Sequence, residues 1–132
     1  IFIEKINLPR IKTIADYAFG NCKSLKEIVI GNTLESLGSR TLYNCINIET
    51  ITTPFIGTSI VYLYHIGVFF GGEEMENAYR CVINDNEVYD RTFIFYVPMS
   101  LKTVNITKVS AENMYKFTFE GCKYISSINY IE

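Results

Sequence analysis

The sequence predicts an α/β-type repeat solenoid: short parallel strands joined by turns or short 3₁₀ or α segments, with a small β-rich insertion. Three observations predict it. The stretch Ile11-Lys-Thr-Ile14-Ala-Asp-Tyr-Ala18-Phe19-Gly-Asn21-Cys22-Lys-Ser-Leu25-Lys-Glu-Ile28 superposes on Leu34-Glu-Ser-Leu37-Gly-Ser-Arg-Thr41-Leu42-Tyr-Asn44-Cys45-Ile-Asn-Ile48-Glu-Thr-Ile51, twenty-three residues later. A third copy follows, in which Phe119-Glu-Gly121-Cys122-Lys-Tyr-Ile125-Ser-Ser-Ile128 matches the run from Phe19 to Ile28 with one extra residue between strand and cysteine. Finally, the spacing aliphatic-x-x-aliphatic-x-apolar occurs five times, at 3–8, 25–30, 48–53, 101–106 and 125–130. A period in the twenties means that a unit too small to bury its own apolar face is stacked on copies of itself.

Within each of the five segments the last three positions alternate, as in a strand with one face inward. Thr53 and Tyr130 break the pattern at its final position, and Thr53 directly precedes Pro54. The other half of each repeat must bend the chain back. Ile11, Ile14, Ala18 and Phe19 recur as Leu34, Leu37, Thr41 and Leu42, pointing into the space between strand and return segment. Their spacing of three and four fits one or two helical turns, so short 3₁₀ or α pieces, or turns alone, are expected there.

The run Ile14-Ala-Asp-Tyr-Ala18-Phe19-Gly-Asn-Cys22-Lys-Ser-Leu25-Lys-Glu-Ile28 resembles the BspA-type leucine-rich repeat, whose usual form is close to I-G-x-x-A-F-x-x-C-x-x-L-x-x-I-x-I-P. The later copies depart from it, with Thr41-Leu42 and Thr118-Phe119 where Ala-Phe is usual. The resemblance implies a single leucine-rich repeat domain over residues 1–132, with repeats over about 3–57 and 101–132 and an insertion at 58–100. It also implies a surface-displayed or secreted, non-enzymatic protein that binds a host or neighbouring-cell ligand. The interruption is similar to an insertion that some members carry between coils.

That interruption opens with Ile60-Val-Tyr-Leu-Tyr64-His-Ile-Gly-Val-Phe-Phe70, stopped by Gly71-Gly72. The run falls short of the roughly 20 apolar residues that span a bilayer, so no membrane insertion is expected. After the acidic stretch around Glu73, Glu74 and Glu76, two β-prone runs flank the polar turn Asn84-Asp85-Asn86-Glu87, which predicts a β-hairpin. A small strand-rich lobe folded against the solenoid is the resulting picture. The chain starts in mid-repeat at Ile1 and has no polar cap after 125–130, so further repeats in a parent chain are expected to cover that edge.

The hydrophobic content of 48% with 20% charged residues suits a soluble, cored domain. A net charge of −2 gives no electrostatic case for a nucleic-acid partner or an anionic membrane. Cys22, Cys45 and Cys122 occupy one repeat position and are expected to stack as a buried structural thiol column once the insertion is looped out. Parallel side-chain vectors disfavour disulfides in such a column. No metal site is expected, because the chain has no C-x-x-C pair and no second histidine, and no cofactor is indicated. Cys81 reads as a packed strand residue outside the column.

No catalytic residue is assigned. His65, the only histidine, sits in an apolar run and lacks an evident nucleophile partner. The carboxylates Glu73, Glu74, Glu76, Asp85, Glu87 and Asp90 lack the glycine and distal glutamate of an EF-hand loop, and read as solvated hairpin charge. Asn105-Ile106-Thr107 is a glycosylation sequon, but within a strand. The candidate binding surface is the outward strand face: Lys5 and Asn7, Glu27 and Val29, Thr50 and Thr52, Thr103 and Asn105, Ser127 and Asn129. Such a column of short polar side chains suits an extended protein or glycan ligand held by many modest hydrogen bonds. The same composition is what any solvated strand face tolerates, which leaves a structural spacer as the alternative and a hydrolase with a site in the insertion third.

Overall fold

The computed structural model describes residues 2–131; Glu132, where the last expected repeat ends, lies outside the described residues. The first coil has strand β1 (Lys5–Leu8) and, on its return path, the two-residue β2 (Thr13–Ile14). The next coil repeats this with β3 (Glu27–Ile30) and β4 (Ser36–Leu37), and β5 (Thr50–Thr53) begins the third. A hairpin of β6 (Ala78–Asp85) and β7 (Arg91–Pro98) precedes β8 (Thr103–Ile106) and β9 (Ser127–Tyr130).

Strands β1, β3, β5, β8 and β9 form one parallel sheet in that order. All five strand segments read from the sequence are present, each starting two residues later than the spacing implied. The cause is a corner at each entry. Leu25, Ile48 and Leu101 are fully buried there, while the backbone N–H groups of Lys26, Glu49, Lys102 and Ser126 donate to Glu4, Lys26, Glu49 and Lys102 in the coil before. Register then aligns Ile6, Ile28, Ile51, Val104 and Ile128 in one inward row. Ile28, Ile51 and Val104 in its middle are essentially inaccessible, each contributing about 1.5–3 kcal/mol by burial. Ile128 on the edge strand is 39% exposed. Thr53, the off-pattern residue, is buried because its hydroxyl donates to the Phe55 carbonyl at 2.8 Å and closes the turn at Pro54.

The α component of the expected class is not found: among the described residues there is no α-helix, and the 3₁₀ pieces are confined to Ile66–Phe69 and Ala111–Asn113. The return segments are turns because positive φ recurs too often for a helix to propagate, at Tyr17, Asn21, Arg40 and Asn44 (φ 59°, 64°, 56° and 61°). The third copy puts Gly121 (φ 76°) where the others have Asn21 and Asn44, the residue types that adopt this conformation at least cost. Returns stack as the strands do, with Tyr17, Phe19 and Asn21 N–H donating to the Ser39, Thr41 and Tyr43 carbonyls.

The stretch 58–100 is divided between the stack and a hairpin folded against it. Its segment 65–70 occupies the third return layer, receiving hydrogen bonds from the Arg40 and Leu42 N–H groups at the Val68 and Phe69 carbonyls, both 2.9 Å. On the other side the Ile66 N–H donates to Thr118 O at 2.9 Å. Ile66, Phe69 and Phe70 are fully buried in the common interior. The physical reason is continuity: omitting this layer would leave the third coil without an inner face. Only the start of the apolar run, Ile60, Val61 and Tyr62, faces solvent. The expected hairpin is present, and its β7 packs on the layer through a hydrogen bond from Tyr96 N–H to Gly71 O.

Candidate functional site

Parallel register carries the ten outward residues into two rows. Lys5, Glu27, Thr50, Thr103 and Ser127 follow one another across the sheet, and Asn7, Val29, Thr52, Asn105 and Asn129 run beside them. The central members are half-buried and Lys5, Asn7 and Asn129 exposed. The rows are bonded within themselves. Asn105 Nδ2 donates to Thr52 Oγ1 at 3.1 Å, Asn129 Nδ2 donates to Asn105 Oδ1 at 2.9 Å, and Lys5 meets Glu27 at 3.5 Å. Asn105, the sequon residue, thus has its amide engaged on both sides.

A second feature was not legible in the sequence. The interior brings His65, Cys81 and Cys122 together, with their donor atoms all within 4.8 Å of one another. Cys122 Sγ lies 4.0 Å from Cys81 Sγ and 3.6 Å from His65 Nε2. The expected column of Cys22, Cys45 and Cys122 is therefore revised. Cys45 keeps its place against the neighbouring coil, its thiol donating to Phe19 O at 3.1 Å, and burial pushes that thiol up to about 12. Cys122 instead takes Cys81 as its neighbour, because the hairpin strand β6 lies against the last return turn. Cys81 is a packed strand residue, as expected, and in addition stands against Cys122.

His65 also acquires the thiol neighbour that its sequence context did not advertise. Its hydrogen bonds settle what it can do. Gly67 N–H points at Nδ1 at 2.9 Å, so Nδ1 accepts and Nε2 carries the proton, which is donated to Glu120 O at 2.8 Å. The ring stacks on Phe95, centroids 5.5 Å apart. Burial lowers its pKa to about 4, against a smaller opposing effect of the Glu120 carbonyl. A neutral imidazole with both nitrogens engaged has no lone pair to offer as a general base to Cys122. Two thiols and an imidazole are a donor set that zinc or cuprous ions take, but coordination by this ring would require giving up Gly67 or Glu120. The hydrogen bond between the two thiols lowers the pKa of Cys81 and, followed by burial, raises that of Cys122.

Two smaller features complete the survey. Asp85, expected as solvated charge, is buried: its carboxylate accepts the Glu87 and Val88 N–H groups at 2.9 and 2.8 Å, the Tyr89 N–H at 3.3 Å and the Tyr115 hydroxyl. Burial opposes ionisation, yet these hydrogen bonds outweigh it and hold the carboxyl down to about 2. Glu73, Glu74, Glu76, Glu87 and Asp90 are exposed as expected. Along the corners that lead into the strands runs an open hollow of about 570 Å³, lined by Glu4, Lys23, Lys26, Asn47 and Glu49 among others.

The repeating strand, corner and asparagine turn match the family model described as "BspA type Leucine rich repeat region (6 copies)", over residues 2–66 and 72–132. The chain belongs to the BspA-type leucine-rich repeat family. No curated protein and no solved structure matches it. The family match reaches into 58–100, consistent with a BspA-type coil continuing through that stretch. No helix among the described residues is long and apolar enough to cross a membrane.

Proposed function

We propose that this chain is a non-enzymatic binding module of a surface-displayed or secreted protein, taking an extended protein or glycan ligand across its strand face. The observation that carries the reading is the parallel register, which turns ten separated residues into two uninterrupted rows of short, mostly polar side chains. Family membership supports it, since BspA-type repeats are commonly found in surface or secreted interaction proteins and are generally non-enzymatic. The cluster around His65 supports it indirectly, because the one imidazole is spent on holding the fold.

A spacer is the second reading, favoured by the side-chain bonds among Thr52, Asn105 and Asn129, which already satisfy part of the face. Thr50→Lys combined with Asn105→Lys separates the two. Wild-type protein and this variant are presented to immobilised extracellular-matrix proteins and to a glycan panel. Retention by the wild type, lost in a variant with an unchanged circular-dichroism spectrum, supports the binding module. Equal retention by both proteins refutes the strand face, and retention by neither favours the spacer.

A further inference from the structure

We propose that Cys81 and Cys122 are a redox-active pair that closes to a disulfide in the presence of a low-molecular-weight disulfide oxidant, stapling the hairpin to the last return turn. The two sulfurs stand 4.0 Å apart, so they must approach by about 2 Å to reach bonding distance. The backbones permit this. A methyl group built on Gly121 would lie 3.7 Å from both Cβ and Sγ of Cys81 and 3.8 Å from its Cα, so the residue next to Cys122 faces Cys81 with no more than a methyl-sized space between them. All four cysteines are free thiols, and this pair stands sulfur to sulfur at 4.0 Å.

Access sets the order of events. Cys81 is buried, whereas Cys122 is partly exposed. Cys122 gives up its proton as the oxidant approaches and its sulfur attacks one sulfur of RSSR, forming Cys122–S–S–R and releasing RS⁻, which takes up that proton. The Cys81 thiolate then attacks the Cys122 sulfur, breaking its bond to SR; the second RS⁻ leaves with the proton from Cys81. The protein loses two hydrogens and two electrons, and the oxidant becomes two RSH. His65 lies beside the reacting sulfur as a neutral ring and takes no proton. A metal held by the same three residues is the competing chemistry, disfavoured because both ring nitrogens are engaged.

The test uses the folded chain with oxidised glutathione, followed by alkylation, thiol titration and peptide mapping, in parallel with zinc titration of the reduced protein. The expected result is a fall in free thiols from four to two per chain, a Cys81–Cys122 cross-linked peptide, and retention of that cross-link in Cys22→Ala/Cys45→Ala. Cys81→Ala should stop at a glutathione adduct on Cys122. Four thiols persisting, a Cys22–Cys45 link, a stable glutathione adduct on wild-type Cys122, or one zinc bound per chain and lost in Cys81→Ala would each overturn the proposal. The mapping on wild-type protein decides the matter even if a variant fails to fold.

Discussion

Replacing His65 with glutamine separates the packing of the ring from its titration. The folded imidazole is neutral because protonation would put a charge among Phe95, Gly67 and the Glu120 turn, and its pKa is lowered to about 4. The unfolded chain has a histidine near 6.5. Between these values the unfolded state binds more protons, so stability is fully present above about pH 6.5 and is lost as pH falls toward 4. Integrating the linkage gives a loss of about 2 kcal/mol at pH 5 and about 3 kcal/mol at pH 4. Glutamine can still donate to the Glu120 carbonyl but leaves the Gly67 N–H without its acceptor, so His65→Gln is expected to cost about 1–3 kcal/mol at pH 7.5. It removes the titration, however. Urea unfolding at pH 7.5 and 5.0 should therefore show wild type losing about 2 kcal/mol more than the variant. Carboxylates contribute to both proteins alike and cancel in the difference. Parallel losses in the two proteins would refute the buried, neutral imidazole.

Other substitutions probe the stack itself. Cys45→Ala removes the donor to Phe19 O and leaves a small void, for an expected loss of about 1–3 kcal/mol, whereas Cys45→Ser keeps a donor and should lose less; chemical denaturation compares them. Gly38→Ala would place a methyl 2.3 Å from the Asp16 nitrogen in the neighbouring coil, forcing the backbones apart; thermal unfolding should register a destabilisation of about 1–3 kcal/mol. Tyr115→Phe removes a hydrogen bond that holds Asp85 ionised, so the Asp85 pKa should rise from about 2 toward its ordinary value. Wild-type stability from this carboxylate is present above about pH 4 and lost toward pH 2, and NMR titration should show the variant losing it at higher pH.

The strands were legible because burial on one face writes a period into the sequence, and the recurrence of Ile11, Ile14, Ala18 and Phe19 as Leu34, Leu37, Thr41 and Leu42 marked a return segment without fixing its conformation. What failed to show was the helix question and the path of 58–100. Spacings of three and four at Ile11, Ile14 and Ala18 are ambiguous between helix and stacked turns, and only the positive φ at Tyr17 and Arg40 decides between them. The third return layer was hidden because Ile66, Phe69 and Phe70 fill it with bulk but without the repeat's spacing or its cysteine. The site around His65 was hidden for a related reason. Cys122 is 57 residues from His65 and 41 from Cys81, and no local spacing encodes a contact made by folding a hairpin back onto the stack. Asp85 misled because a carboxylate in a polar turn looks solvated until its backbone donors converge on it.

The claim on which the rest depends is that successive coils share one interior through 58–100 rather than around it. Methyl-labelled NOE spectroscopy tests it most directly. The account predicts an unbroken chain of contacts from Ile28 to Ile51, Val104 and Ile128, with Leu42 also touching the 66–70 layer. Contacts that stop at Ile51 and resume only within a separate Val104–Ile128 group, with none between Leu42 and Ile66, would contradict it.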